Sequence, residues 1–171
     1  MMRVVVGDLA SRPADAIVRP ATTRLEPTTP AIGRLDAAGG PEYLRHLTLQ
    51  KELAVGAAVV TGGGGEIPAE FLIHAVISSA TEPVSRGSVA RAWLSTLQRA
   101  REWGFAHLTT PPLGTGAGNL ALEAVADIMV GVFTAHLQQT DAPLDITFVV
   151  ETDEDRGVFA AAVRRQSAEL S

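Results

Sequence analysis

The sequence predicts an α/β fold in which strands alternate with helices and the sheet is covered on both faces. Two patterns carry this expectation. Short runs rich in β-branched residues alternate with segments whose apolar residues recur at helical spacing, and several of the runs are nearly continuous in apolar residues, as strands buried on both faces are. Size adds a third observation: 171 residues, 46% hydrophobic and 19% charged, can bury one sizeable core and fit a single domain over 1–171, with its packed part at about 3–165.

The first strand is expected over 3–7 and a second over 15–19, joined by a turn with Ser11, Arg12 and Pro13, and the two are expected to be neighbours. The stretch 22–30, with four threonines and two prolines, suits a structured loop. A short helix over 31–38 ends at Gly39 and Gly40, and Pro41 opens the next, which runs to about 51. Apolar strands follow over 57–61 and 71–78, with the glycines at 62–65 turning the chain between them. Val89, Trp93, Leu97 and Ala100 form the core-facing stripe of a helix over 88–103, which leads into a strand at 108–111. Leu122, Val125, Met129, Val132 and His136 mark another helix, with Glu123 in its positive first turn. A strand over 146–150 and a helix over 153–167 end the pattern.

Charge and composition exclude several function classes. Fourteen basic against 19 acidic residues, with a pI near 5.3, argue against a general nucleic-acid binder or a protein held at membranes by bulk charge. The absence of cysteine removes thiol nucleophiles, disulfides and cysteine-based zinc sites. His46, His107 and His136 show no metal-site spacing, so neither metal nor cofactor is expected. No signal peptide or membrane-length apolar stretch stands out, which gives the expectation of a soluble, cytoplasmic protein.

The feature with most chemistry is the run Pro111, Pro112, Leu113, Gly114, Thr115, Gly116, Ala117, Gly118, Asn119 between a strand and a helix. Alternating glycines let backbone N–H groups approach an anion closely, and a helix start adds a favourable dipole. A Walker loop is excluded, because the one lysine, Lys51, is far from any glycine run. The dinucleotide fingerprint is excluded too, since Asn119 and Leu120 stand where a third glycine would be needed. After the first strand come Gly7, Asp8 and Leu9: a carboxylate that can accept from an exocyclic amine beside an amide that can donate to a ring nitrogen, the pair needed to read an adenine edge. In an open sheet this loop and the one after Pro111 would meet at the strand carboxyl ends.

Gly7-Asp8-Leu9, Asp15-Ala16-Ile17-Val18, Ile73-His74-Ala75-Val76 and Pro112-Leu113-Gly114-Thr115-Gly116-Ala117-Gly118, with Leu122-Glu123 beyond, come in an order that resembles the macro domain, the ADP-ribose-binding module. The resemblance covers nearly the whole chain. It implies a three-layer α/β/α fold with a mixed central sheet, Asp8 and Leu9 on the adenine, the backbone of Gly114, Thr115, Gly116, Ala117 and Gly118 around the diphosphate, and Leu113, Asn119 and Leu120 among the ligand-binding residues. The ligand is then ADP-ribose or a related adenine nucleotide, free or carried on an ADP-ribosylated protein. Departures are equally informative. Where the family has Asn-Ala-Ala-Asn, this chain has Arg19-Pro20-Ala21-Thr22, which leaves Thr22 at the distal ribose, and the family's glycine-rich loop becomes Pro27-Thr28-Thr29-Pro30. Bulk replaces close backbone approach, and proline has no N–H to donate. Leu120 stands where the family places an aromatic ring.

These replacements imply binding without efficient catalysis, and no catalytic residue is assigned. Two other readings stay open: a hydrolase in which Thr22, Thr28, Thr29 or Arg19 stands in for the lost groups, and an interaction module that no longer takes a nucleotide. Arg19, Arg24 and Arg34 read as either phosphate contacts or a solvated basic surface. His74 reads as a hydrogen-bonded core residue, Trp93 and Trp103 as packing residues, and Glu151, Asp153, Glu154 and Asp155 as a solvated loop and helix start.

Overall fold

The computed structural model describes residues 1–116 and 119–170. In chain order these form β1 (Met2–Val6), a 3₁₀ turn (Leu9–Ser11), β2 (Ala14–Thr22), α1 (Pro30–Thr48), β3 (Ala58–Gly62), β4 (Ala69–Ser78), α2 (Arg86–Trp103), β5 (His107–Thr110), α3 (Leu122–Leu137), β6 (Asp145–Val150) and α4 (Asp153–Leu170). The strands make one mixed sheet in the order β1-β6-β5-β2-β4-β3, all parallel except β3, which runs antiparallel to β4.

Both faces are covered, as the apolar strands require. Along β2 and β4, Ala16, Val18, Ile73, Ala75 and Ile77 face the layer of α2, α3 and α4, where Trp93, Phe133, Phe148 and Phe159 are fully buried. The Trp93 indole N–H donates to the Met129 carbonyl at 2.9 Å, so this large ring is buried with its polar atom paired. Residues of the opposite parity, Ile17, Leu72 and Val76, face α1 through Ile32, Leu35 and Tyr43. Trp103, expected to be a packing residue, packs against Phe71 and Phe105 at the end of α2 while half of it stays exposed.

The expectation that the first two strands are neighbours is corrected. β1 pairs with β6, Val4 opposite Phe148, while β2 lies between β5 and β4. Asp15 shows one cause: its carboxylate accepts the N–H groups of Ala106 and His107 at 2.7 and 2.9 Å, tying the start of β2 to the start of β5. The second strand is also longer than expected, starting at Ala14 and running on through Pro20, Ala21 and Thr22, because β4 pairs with it to its end. The two short helices expected around Gly39–Gly40 meet without a loop, the break being Gly40 at φ 83° followed by Pro41. Helix α2 begins two residues early because Ser85 and Ser88 cap each other, side chain to backbone N–H, at 3.0 and 2.9 Å.

Candidate functional site

The fold splits where β2 and β5 part. Their pairing runs only from Ala16–Leu108 to Ile17–Thr109; beyond it the chain leaves β2 toward β4 on one side and β5 toward β6 on the other. This is a topological switch point, where open sheets form ligand crevices at their carboxyl ends. Pro20 lies in the stretch where the β5 side asks for no ladder donor, and it forms part of the cleft floor.

A cavity of about 500 Å³ opens there. Gly7, Asp8 and Leu9 close it after β1; Thr29, Pro30, Ala31 and Arg34 come from the start of α1; Pro111, Pro112, Thr115, Gly116 and Leu120 follow β5; Glu151 and Asp155 follow β6. Four backbone N–H groups on these walls, those of Leu9, Ala31, Thr115 and Gly116, donate to no other described residue. The Ala31 group also belongs to the first turn of α1, whose dipole favours an anion. An N–H without a protein partner is free to donate to a ligand or to water.

The glycine loop holds its own shape. Gly114 sits at φ 89°, and a Cβ there would come within 2.7 Å of Val89 and 2.9 Å of Val84, so the loop packs onto α2 only as glycine. The N–H of Leu120 returns to the Gly114 carbonyl at 3.0 Å, and that of Asn119 to Gly116 at 3.2 Å. Asp8 caps the 3₁₀ turn, its Oδ1 accepting from Ala10 at 3.0 Å, and still borders the cleft.

Of the residues expected from sequence, Asp8, Leu9, Thr115, Gly116 and Leu120 are brought together on one cavity. Leu113 and Gly114 are fully or nearly buried behind it, with the Leu113 N–H directed to the Met129 sulfur at 3.4 Å; they support the loop rather than line the cleft. Thr22 and Asn119 line a second pocket of about 280 Å³ with Thr28, Ser78 and Ser79. Ala117 and Gly118 lie outside the described residues.

Arg19 is corrected most clearly. It is neither a cleft cation nor a solvated one: it is fully buried, with two bonds to the Asp36 carboxylate at 2.8 and 2.7 Å and one to the Leu25 carbonyl at 2.7 Å. Tyr43 donates to the same carboxylate at 2.9 Å, and burial holds its phenol above the usual range, with Arg19 opposing. His74 completes the group, Nδ1 at 3.3 Å from Arg19 and Nε2 at 2.6 Å from Thr61 Oγ1. Burial and the neighbouring guanidinium push its pKa down to about 3, so the imidazole is neutral, as a core histidine should be. The Arg19 bond fixes Leu25, the one non-glycine residue with positive φ (59°) among those described, and so shapes the loop after β2.

Arg34, read as either a phosphate contact or a solvated cation, lines the cavity with Glu151 and Asp155, read as part of a solvated loop and helix start. Arg34 and Glu151 form an exposed pair at 3.3 Å across the cleft mouth, of small energetic weight. Their signal in the sequence is positional: Glu151 directly follows a strand whose neighbours carry the other loops of the site. Among the described residues no cluster of histidine and carboxylate could hold a metal ion, and no helix is long and apolar enough to cross a membrane.

Known proteins give the geometry its context. An uncharacterised protein of Mycobacterium tuberculosis is 31% identical over 95% of this chain and 45% of its own length, so the chain spans about half of the mycobacterial relatives it matches. An O-acetyl-ADP-ribose deacetylase of Enterobacter sp. is 29% identical over 92% of this chain and 91% of its own. The Oceanobacillus iheyensis macrodomain, solved with ADP, superposes with a TM-score of 0.85 over 97% of this chain and 91% of that one, at 22% identity, which establishes the fold. Residues 18–129, covering the split of β2 from β5 and the glycine loop, match the macro domain family, and with the mixed six-stranded sheet they place this chain in that family.

Proposed function

We propose that this chain binds ADP-ribose or a related adenine nucleotide in the cleft between the loops after β1, β2 and β5, as a binding module without efficient catalysis. The observation that carries the reading is the gathering on one cavity of residues whose N–H groups have no partner among the described residues: Ala31 in the first turn of α1, Thr115 and Gly116 of the glycine loop, and Leu9 beside Asp8. The N–H groups of Ala31, Thr115 and Gly116 suit a diphosphate, and the Leu9 N–H with the Asp8 carboxylate suits an adenine edge. That the Oceanobacillus iheyensis macrodomain has been solved with ADP supports the same ligand class here. The partner is then the free nucleotide or an ADP-ribosylated protein. Calorimetric titration with ADP-ribose and with ADP tests the proposal: micromolar binding of either is the expected result, and absence of both at millimolar concentration would leave the fold as an interaction module.

One observation favours a second reading, the similarity to a protein named O-acetyl-ADP-ribose deacetylase. In this chain Thr22 Oγ1 already accepts the N–H groups of Arg24 and Glu26 at 3.3 and 3.2 Å, and Arg19 is locked to Asp36. Both are committed to structure, which weakens them as substitutes for catalytic groups. Release of acetate from O-acetyl-ADP-ribose by the purified protein would overturn the binding-only reading.

A further inference from the structure

Among the described residues that line the cleft there is no aromatic ring, and Arg34 is the one cation. Arg34 stands three residues along α1 from Ala31, on the same side of the helix. The start of α1 therefore serves the cleft twice, through a backbone N–H and through a long side chain. That side chain crosses the mouth, its Nη2 3.3 Å from Glu151 Oε1. The sheet fixes where the contact ends. Glu151 directly follows β6, and the Gly7 N–H donates to the Val150 carbonyl at 3.0 Å, which sets Glu151 beside the loop that carries Asp8 and Leu9.

Charge decides what an arginine can serve there. Asp8, Glu151 and Asp155 put three carboxylates around the ends of β1 and β6, against the single guanidinium. A phosphate at that spot would meet net negative charge, whereas a neutral base would not. A guanidinium donates its N–H groups in its own plane, so a carboxylate at its edge leaves both faces open to an aromatic ring. We propose that Arg34, held at its edge by Glu151, is a further binding residue that covers the face of the ligand's base. This rests on the nucleotide reading above. Asp8 and Leu9 take the edge of the base, and the planar cation lies on its face, as guanidinium planes do with unstacked bases. Both members of the pair are more than half exposed, and such a pair is worth little alone, so it parts to admit the base at small cost.

The test titrates ADP, by calorimetry, and adenosine, by chemical-shift mapping, into the wild-type chain, Arg34→Lys and Arg34→Ala. Lysine keeps the positive charge and loses the plane; alanine loses both. Arg34 lies mostly in solvent, so neither replacement threatens the fold. Arg34→Ala should weaken both ligands by the same factor, about threefold to tenfold, and Arg34→Lys should weaken them almost as much. A loss confined to ADP, or full recovery by lysine, would assign Arg34 to a phosphate and overturn its place on the base. Unchanged affinity in Arg34→Ala overturns any part for it in binding. The lysine comparison on ADP decides by itself if adenosine binds too weakly to follow. Failure of the wild type to bind either ligand overturns the nucleotide reading, and this inference with it.

Discussion

Asp8 illustrates how one side chain serves structure and site together. One carboxylate oxygen caps the 3₁₀ turn, and the residue borders the cleft beside Leu9, whose N–H has no partner among the described residues. Replacing it with alanine removes the acceptor for an exocyclic amine, and Asp8→Ala should weaken ADP by about 1–3 kcal/mol in a calorimetric titration. Unchanged affinity would place the adenine elsewhere. Thr109 makes the opposite case: it is fully buried in β5, and its hydroxyl has no partner among the described residues. Thr109→Val should therefore leave stability unchanged or raise it by up to about 1 kcal/mol, read as the midpoint of urea unfolding, because it removes an unsatisfied polar group. A clear loss would mean that the hydroxyl is satisfied.

Among the elements, β2 and α1 are joined by the buried Arg19–Asp36–Tyr43 group, with His74 on β4 and Thr61 on β3 beyond it. Arg19→Met would strand the Asp36 carboxylate under α1 and should cost about 3–5 kcal/mol in equilibrium unfolding. The double replacement Arg19→Met with Asp36→Leu should recover most of that loss, since neither charge is then left alone in the core. If the single variant costs no more than a surface change, the pair does not hold β2 to α1. At this scale the sequence was legible in its strands and helices but not in their company. An arginine at the end of an apolar strand reads as a loop residue until the carboxylate that satisfies it, 17 residues further on, and the phenol that shares that carboxylate, 24 residues further on, are seen to come from α1. The acidic Glu151 and Asp155 were obscured for the same reason, since nothing local distinguishes a carboxylate at a cleft mouth from one in water.

For the molecule as a whole, the buried His74 sets a pH dependence. Its pKa is near 3 in the folded chain and close to 6.5 when unfolded, so between these values the unfolded state binds a proton that the folded state refuses. Stability should be complete above about pH 6.5 and fall as pH is lowered toward 3, with a slope of at most about 1.4 kcal/mol per pH unit from this group. Urea unfolding at pH 7 and pH 5 checks it, with His74→Gln as the comparison; an equal pH dependence in both proteins would assign the loss to other groups. The wider architecture follows from the split of β2 from β5, which leaves a crevice open to four loops.

The sequence by itself determined the α/β class and the order and nature of nearly every element, and it singled out the glycine loop and Asp8–Leu9, which share one cavity, because periodicity and turn chemistry are local properties of the chain. The tertiary structure decided which strands are neighbours, that Arg19 is a buried tie rather than a cleft cation, and that Asp8 and Leu9 share one cavity with the glycine loop and the start of α1. Those are contacts between residues far apart in the chain, and packing, rather than local preference, selects them.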